Sequence, residues 1–380
     1  MKKKILIVTE RRADYSKFRP ILKKITKSSK LDYCLVVTGS HLLSSHGKTI
    51  NEIKNDGFKI SYKFSMYPKY FTGTNSEMVE SFGRAILKIT EIVKIEKPNL
   101  ILAGFDIGAN FAAAIVGSHM NIHVAHIEGG DITGTIDESI RHATSKFSHI
   151  HFTSNKIAST RLQKMGENKK FIFTVGSTGL DNILRTQKLT IENLSQEFKI
   201  DFSSPFIVVL QHTVTTEVNN VDKNFLKTLK AISELKIQAL LIHGNADAGS
   251  QKLSKLIQNS SIQHIKTIQN NKYVNLLFHA SALVGNSSSG IIETPFLKIP
   301  SVNIGTRQQG RLKSFSVIDV NYNKNEIKKA IKKAVFDKNF KNKVKKSTSL
   351  YGDGNSASKI VKILETLDLS KIPIQKTLSY

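Results

Sequence analysis

The chain has 380 residues, of which 40% are hydrophobic and 23% charged, a composition that is typical of a globular protein and excludes a disordered chain. Two domains are expected at this length, and no apolar run approaches the ~20 residues that cross a bilayer, which excludes an integral membrane protein. The net charge of +26 favours a polyanionic partner. The lysines are, however, spread along the chain, and the sequence contains no zinc finger or RNA-binding signature. We therefore expect neither a specific nucleic acid nor a membrane as a partner.

In the first half of the chain, short β-rich apolar runs alternate with helical patterns, which predicts βαβ units on a parallel sheet. Cys34 is the one cysteine of the chain and lies in the second predicted strand, where a small buried side chain and a reducing, cytoplasmic location are expected. The predicted strands lie near 5–9, 33–38, 100–103, 122–126, 150–153 and 171–175, and the predicted helices near 15–25, 77–96, 109–119, 137–146 and 156–165.

The alternation restarts after Ser203-Ser204-Pro205, with strands near 206–210, 239–243, 282–284 and 301–304 and helices near 223–234, 250–257 and 289–296. Lysine clusters at 328–333 and 338–346 indicate the solvated face of a further helix and a loop after it. The fold class is therefore α/β, with two Rossmann-like domains at 1–180 and 205–355. A helix and tail at 356–380 are expected to pack back on the first domain. A cleft between two such domains is a common ligand site, and the active site is expected there.

Carboxylates follow two neighbouring predicted strands of the first domain. Asp106 and Glu128 come after strand ends, and Asp137 begins a helix that carries Arg141 one turn later. Because open α/β sheets bind ligands at the carboxyl ends of their strands, we expect these groups, with His212 at the first strand end of the second domain, to serve acid–base chemistry. The alternatives are structural: Asp137 as a helix cap, an ion pair between Glu128 and Arg141, and a packing role for His212.

The segment 284–295, VGNSSSGIIETP, predicts a phosphate site. A strand ends at Val284, and free backbone N–H groups at the helix that follows, with serine hydroxyls beside them, suit a phosphate. Glu293 is placed to accept hydrogen bonds from ribose hydroxyls. The pattern is neither a Walker A loop nor GxGxxG, and a serine that caps its own helix is the alternative. The loop residues proposed to bind substrate are Asn286, Ser287, Ser288 and Gly290.

Two further strand-end loops carry polar residues. In 303–311, NIGTRQQGR, the arginines Arg307 and Arg311 stand between glycines as a plausible anion clamp, with a solvated surface turn as the alternative. In 243–250, HGNADAGS, Asp247 is expected to cap the next helix.

These motifs together resemble the UDP-N-acetylglucosamine 2-epimerase family. The similarity is greatest to its hydrolysing branch, which forms N-acetylmannosamine for sialic acid synthesis, and it extends from about residue 5 to about residue 366. The segments that carry the resemblance are RADYSK (12–17), TGSH (38–41), HIEGGDITGTIDESIRHATSK (126–146), LQHTVTTE (210–217), DAGS (247–250), GNSSSG (285–290), GTRQQGR (305–311) and YGDGN (351–355).

The resemblance implies a glycosyltransferase-B-like fold, a UDP-sugar substrate, no metal or redox cofactor, and a homodimer or homotetramer. It implies that UDP is eliminated across C1–C2 to give 2-acetamidoglucal, and that water then adds to give free N-acetylmannosamine. It assigns catalytic roles to Asp106, Glu128, Asp137 and His212, and substrate contacts to Arg12, Ser287, Ser288, Glu293 and Arg307.

One departure from the family pattern bears on the substrate. The family commonly has Gly-Asp-Arg where this chain has Phe105-Asp106-Ile107, so UDP- or GDP-linked N,N'-diacetylbacillosamine stays open as the substrate of a hydrolysing enzyme. A non-hydrolysing 2-epimerase and a glycosyltransferase are further alternatives on the same fold. From a different class, the charge of +26 permits a nucleic-acid-binding protein.

Overall fold

The computed structural model describes residues 2–44, 47–244 and 249–379, and Asp247 therefore lies outside the described residues. Contacts within this part of the chain divide it into two compact units. Unit 1 comprises Met1–Ile132, Ile136–Asn182 and Tyr351–Tyr380, and unit 2 comprises Thr133–Thr135 and Ile183–Leu350. In the described residues, no helix combines the length and the apolar character needed to span a bilayer.

Unit 1 is built on a parallel sheet with the strand order β3-β2-β1-β4-β5-β6-β7. Its strands are β1 (Lys3–Thr9), β2 (Leu31–Val37), β3 (Tyr62–Lys63), β4 (Leu100–Gly104), β5 (His123–Ile127), β6 (Ile150–Thr153) and β7 (Ile172–Thr174). Its helices are α1 (Arg12–Ile25), α2 (Ile50–Asn55), α3 (Asn75–Glu96), α4 (Gly108–His119), α5 (Ile136–Phe147) and α6 (Lys156–Lys164), and α7 (Gly179–Arg185) carries the chain towards unit 2.

Both faces of this sheet are covered, because the strands are apolar on both sides. Along β1, Ile5 and Ile7 pack into one buried cluster, while Leu6 and Val8 pack into another on the opposite face. Continuous apolar strands of this kind are expected of parallel sheets with helices on both faces. Cys34 on β2 belongs to the second cluster and is buried, and burial raises the pKa of its thiol to about 11.

Unit 2 repeats the plan with a parallel sheet of order β10-β9-β8-β11-β12-β13. Its strands are β8 (Phe206–Leu210), β9 (Gln238–Ile242), β10 (His264–Ile265), β11 (Ala282–Gly285), β12 (Ser301–Ile304) and β13 (Val317–Val320). Its helices are α8 (Ile191–Phe198), α9 (Val221–Ser233), α10 (Ser250–Gln258), α11 (Asn270–His279), α12 (Ser289–Leu297), α13 (Lys324–Phe336) and α14 (Lys338–Lys345). The predicted class, two Rossmann-like α/β units of the glycosyltransferase-B-like type, is confirmed.

One element was predicted wrongly. The lysine-rich segment after α13 was expected to be a loop, but it forms α14, which begins with a side-chain cap from Asp337 to the backbone N–H of Phe340. Val344 is the buried residue of this helix and Phe340 is half-buried, so apolar contacts anchor an otherwise basic helix. Three strands and four helices were not predicted, namely β3, β10, β13, α2, α7, α8 and α11. β3 and β10 have only two residues each, which carry no periodic signal.

The last helix, α15 (Ser356–Thr366), belongs to unit 1. Asp181 is fully buried beneath its first turn, and its carboxylate accepts hydrogen bonds from the backbone N–H groups of Ser356 at 3.0 Å and Ala357 at 2.9 Å. A carboxylate at a helix N-terminus satisfies N–H groups that have no partner within the helix. Farther along the tail, Lys376 donates to the buried carboxylate of Glu167 at 2.6 Å.

We predict that Asp181→Ala lowers the free energy of unfolding by about 2 kcal/mol, because two buried N–H groups lose their acceptor. Urea denaturation followed by circular dichroism measures this loss. The control is Asp353→Ala, which removes an exposed carboxylate paired with Lys359 and should change stability by less than about 0.5 kcal/mol. Equal effects of the two substitutions would contradict the capping role.

Candidate functional site

Two acidic residues follow adjacent strands of unit 1. β4 and β5 pair in parallel up to Gly104 and Ile127, and the chain then turns at Phe105 and at Glu128, both in the left-handed region with φ of 69° and 60°. The backbone N–H of Phe105 donates to the carbonyl of Ile127 at 2.9 Å, which keeps the two turns together. Asp106 and Glu128 therefore lie at one edge of the sheet, as predicted.

Asp106 is paired with Arg141. The guanidinium comes from α5, is buried, and donates to the Asp106 carboxylate and to the backbone carbonyl of Asp131. The Asp106 side chain keeps 21% of its surface exposed to solvent. Asp137 lies one turn before Arg141 in the first turn of α5 and is half-buried. The structure thus brings Asp106 and the start of α5 together.

Glu128 has other partners than the sequence suggested. Its side chain is only 2% exposed; one carboxylate oxygen accepts from Lys17 of α1 at 2.5 Å and the other from the hydroxyl of Ser177 at 2.5 Å. The ion pairs found among the described residues join Arg141 to Asp106 and not to Glu128, which was the alternative expected from the sequence. Lys17 also lies over the ring of Phe105, 4.5 Å from its centroid. An ammonium and a guanidinium thus pair with two acids at one edge, of which Glu128 is buried and Asp106 is half-buried.

His126, the penultimate residue of β5, holds the turn at Phe105 in place. Its Nε2 lies 3.0 Å from the carbonyl oxygen of Phe105 and its Nδ1 3.0 Å from the hydroxyl of Ser145. Because a carbonyl oxygen can only accept, Nε2 carries the proton and Nδ1 accepts from the serine. Burial is the main cause that lowers the pKa of His126 to about 3. This neutral imidazole fixes the backbone carbonyl of Phe105, the residue that precedes Asp106.

Sequence reasoning missed Glu10, which follows β1 as Asp106 follows β4. The Glu10 carboxylate is buried and accepts from the Tyr67 hydroxyl at 2.8 Å, from Arg11 at 2.8 Å and from the backbone N–H of Ala109 at 2.9 Å. It therefore holds the first turn of α4, next to Asp106 in the chain. The strand-end rule that found Asp106 also applies to Glu10. The predicted ligand Arg12 begins α1 and is half-buried.

In unit 2, His212 is held by the side chain of Asn286. The Asn286 Oδ1 accepts from the backbone N–H of His212 at 2.7 Å, and its Nδ2 donates to the carbonyl of the same residue at 2.9 Å. This two-point contact joins the segments that follow β8 and β11. Gly285 permits it, since its φ is +132° and a Cβ there would meet the carbonyl oxygen of Leu210 at 2.1 Å. The geometry favours positioning of His212 over direct ligand contact as the role of Asn286.

The backbone carbonyl of Asn286 binds a second loop, the one that follows β12. It accepts from Arg307 at 3.2 Å and from Gln308 at 3.0 Å, so the loop after β12 is fixed to the loop after β11. Arg307 is half-buried, while Arg311 is buried. The structure therefore brings together His212, Asn286 and Arg307, which the sequence placed in three separate segments.

The predicted phosphate loop lies at the start of α12. Ser287 and Ser288 are half-buried, and Ser288 stands at the N-cap position with a helical backbone and, among the described residues, no side-chain capping bond. The hydroxyl of Ser287 accepts from the N–H of Ser289 at 3.3 Å. Capping thus involves Ser287 and leaves the Ser288 hydroxyl available for other contacts. Glu293 lies in the second turn of α12 and is half-buried.

Gly290 has a packing role. It is buried, its carbonyl accepts from the hydroxyls of Ser301 at 2.6 Å and Thr294 at 2.9 Å, and a Cβ would lie 3.3 Å from the Ser301 side chain. The glycine lets α12 approach β12 closely, which sets the position of the serine loop before it.

Comparison with known proteins shows the family to which the chain belongs. A sequence model described as UDP-N-acetylglucosamine 2-epimerase matches residues 23–365. The chain belongs to the UDP-N-acetylglucosamine 2-epimerase family. It is 34% identical, over 100% of both chains, to a protein of Legionella pneumophila named UDP-N,N'-diacetylbacillosamine 2-epimerase (hydrolyzing). It is 33% identical, over 87% of both chains, to a UDP-N-acetylglucosamine 2-epimerase of Neisseria meningitidis.

A solved structure shares the fold. The crystal structure of UDP-GlcNAc 2-epimerase from Neisseria meningitidis bound to UDP-GlcNAc matches this chain with a TM-score of 0.80 at 19% identity, covering 95% of this chain and 99% of the other. Membership of the family thus rests on the sequence match, and the structural likeness confirms the fold.

We predict that His126→Gln lowers stability most at neutral pH. With a pKa of about 3 in the folded state against 6.5 ordinarily, wild-type His126 stays neutral when folded but binds a proton when unfolded between these values. The wild type therefore loses stability as pH falls from 6.5 towards 3, whereas glutamine does not titrate. Urea denaturation from pH 8 to pH 4 measures the free energy of unfolding of both proteins. The difference between the two free energies should become smaller as the pH falls. A difference that stays constant over this range would show that the imidazole is not held neutral.

Proposed function

We propose that this 2-epimerase family member is a hydrolysing enzyme that converts UDP-N-acetylglucosamine and water to N-acetylmannosamine and UDP. The observation that carries the proposal is the pair of cation-bound carboxylates, Asp106 with Arg141 and Glu128 with Lys17, at adjacent strand ends. Inversion at C2 requires that a proton leaves one face of the sugar and that a proton arrives on the other. Two carboxylates held apart by separate partners suit those two transfers.

The first step is an elimination. A carboxylate takes the C2 proton, the C–H electron pair forms the C1–C2 double bond, and the bond from C1 to the diphosphate oxygen breaks to release UDP. In the second step, the oxygen of water bonds to C1 and loses a proton to a carboxylate. The electron pair of the C1–C2 double bond takes up a proton at C2 on the opposite face, which gives the free 2-epimer. We assign these proton transfers to Asp106 and Glu128, and we place Asp137, on the helix that supplies Arg141, near the sugar.

The nucleotide contacts are assigned to unit 2. The hydroxyls of Ser287 and Ser288, in the loop that leads into α12, suit the diphosphate, and Arg307 adds a fixed positive charge. The first-turn N–H groups of α12 are not free for this task, because they already donate to Ser287 and Ser288. Charge that develops on the leaving diphosphate is stabilised by donors already in place. His212 has its backbone held by Asn286, which orients the imidazole for the same task. Glu293 is assigned to the ribose hydroxyls.

A second sugar has support of its own. Ile107 stands where the family commonly has an arginine, and both Ile107 and Phe105 are buried in the apolar core on either side of Asp106. N,N'-diacetylbacillosamine lacks the C6 hydroxyl and carries an acetamido group at C4, so it is less polar than N-acetylglucosamine. The Legionella relative, which matches over the whole chain, is named for that substrate. UDP-N,N'-diacetylbacillosamine is therefore the alternative substrate for the same reaction.

The test is proton and phosphorus NMR of the purified protein with each of the two UDP-sugars in D₂O. Release of UDP and of a free 2-epimer carrying deuterium at C2 from either sugar supports the hydrolysing reaction, and the faster substrate decides between them. Formation of an epimerised UDP-sugar without release of UDP would move the protein to the reversible branch. The absence of any reaction with both nucleotides would overturn the proposal.

We predict that Asp106→Asn and Glu128→Gln each lower kcat by about 10²–10⁴-fold, because an amide cannot take or give the proton. Binding of UDP, measured by calorimetry, should change less than threefold, since the nucleotide contacts are assigned to other residues. The matched control is Glu96→Gln at the C-terminal end of α3. Like Glu128, Glu96 accepts hydrogen bonds from a lysine and from a hydroxyl group, here those of Lys4 and Tyr62. Activity of either site variant at the level of this control would rule out its assigned role.

A further inference from the structure

Ser177 links Glu128 to a part of unit 1 that the proposed reaction does not use. The serine follows β7 and Glu128 follows β5, so the strand β6 lies between them in the sheet. Glu128 donates its backbone N–H to the carbonyl of Phe152 on β6 at 2.8 Å. Gly176 donates its own to the carbonyl of Thr153 at 3.2 Å, so both segments are anchored on the same strand. The Ser177 hydroxyl thus reaches across the end of β6 to the Glu128 carboxylate.

The two oxygens of the Glu128 carboxylate have different donors. Lys17 donates to one oxygen at 2.5 Å, and the hydroxyl of Ser177 donates to the other at 2.5 Å. The last side-chain torsion of a glutamate is broad, so a single donor leaves the plane of the carboxylate free to turn. Donors on both oxygens restrict that plane. Ser177 has no exposed surface, so this contact is made out of reach of bulk water.

The position of Ser177 is set by the segment that precedes α15. The backbone N–H of Ser177 donates to the carbonyl of Tyr351 at 2.7 Å, and Tyr351 is buried. Gly176 and Gly352 lie against each other with φ of 96° and 112°, and a Cβ on Gly352 would meet the Cα of Gly176 at 2.9 Å. Only glycines allow two backbones to pack this closely. The motif YGDGN at 351–355 thus has a task near Glu128.

The same segment supports the helix that supplies Lys17. Asn182, farther along from Ser177, donates from its Nδ2 to the backbone carbonyl of Ser16 at 2.5 Å. Ser16 precedes Lys17 on α1, so this hydrogen bond holds the part of the helix from which the lysine reaches its acid. The segment 177–182 therefore contains one donor to the acid and a support for the other donor.

We propose that Ser177 is a positioning residue for Glu128 and is itself held in place by the segment 351–357. Proton transfer at carbon depends on the distance and direction of the carboxylate, and a misplacement of about 1 Å can lower the rate about 100-fold. Ser177 neither gains nor loses a proton in this role. The inference rests on the function proposed for Glu128 and extends it to the serine and to the C-terminal segment.

The first test compares Ser177→Ala with the wild type in D₂O and follows incorporation of deuterium at C2 of UDP-N-acetylglucosamine and UDP-N,N'-diacetylbacillosamine. Loss of the hydroxyl should lower kcat about 10–100-fold, while KM and the calorimetric affinity for UDP change less than about threefold. The matched control is Ser28→Ala, after the C-terminal end of α1. Ser28 also donates to a glutamate, Glu365, at 2.5 Å, and its loss should leave kcat unchanged.

A second variant separates positioning from general damage to the fold. In the Glu128→Gln background, Ser177→Ala should lower the remaining rate less than about threefold, because the group that it positions no longer transfers a proton. A fall by the same factor in both backgrounds would overturn the proposal. Gly352→Ala should lower kcat as Ser177→Ala does. Gly57→Ala, at a φ of 78° with nothing within 4 Å of its Cβ, should not.

Release of UDP, followed by phosphorus NMR, distinguishes this inference from the proposed function. UDP release by the wild type with equal rates for Ser177→Ala and Ser28→Ala would overturn the inference and leave the function standing. Deuterium incorporation without UDP release, slowed by Ser177→Ala alone, would overturn the hydrolysing reaction and support the inference. If the wild type converts neither sugar, the crystal structure of Ser177→Ala decides. A Glu128 carboxylate that keeps its wild-type orientation overturns the inference, and one that has turned supports it.

Discussion

A carboxylate that is taken out of water needs partners that replace its hydration, and at the carboxyl edge of the unit 1 sheet these partners are cations. Asp106 and Glu128 are paired with separate cations, Arg141 from α5 and Lys17 from α1. Losing one partner of a buried pair costs about 3–5 kcal/mol, so the helices that supply the cations are tied to the strands that supply the acids. The helices on the two sides of these turns are thereby positioned by the same charges that the proposed chemistry uses.

The backbone shows what this arrangement requires. Phe105 and Glu128 both adopt left-handed φ values, although neither is a glycine, and such conformations cost of order 1–3 kcal/mol in non-glycine residues. The strain is tolerated because neighbouring contacts fix it: the Phe105 N–H bonds to Ile127, and the Phe105 carbonyl is bound by His126. Strain of this kind is found most often at functional sites, and here it turns Asp106 and Glu128 out of the strand direction.

The positions of most strands along the chain and the strand-end positions of the acids could be predicted from the sequence, because both depend on local apolar runs and on a general property of parallel sheets. The order of the strands within each sheet was not predicted. The partner of Glu128 could not be predicted. Arg141 is 13 residues away and on a predicted helix, so it was the natural candidate, whereas Lys17 is 111 residues distant and its approach follows only from the packing of α1. The two hydrogen bonds between the Asn286 side chain and the backbone of His212 join residues 74 positions apart, and the spacing of residues in the sequence does not predict them. Local pattern thus identified the acids, and three-dimensional packing decided what they touch.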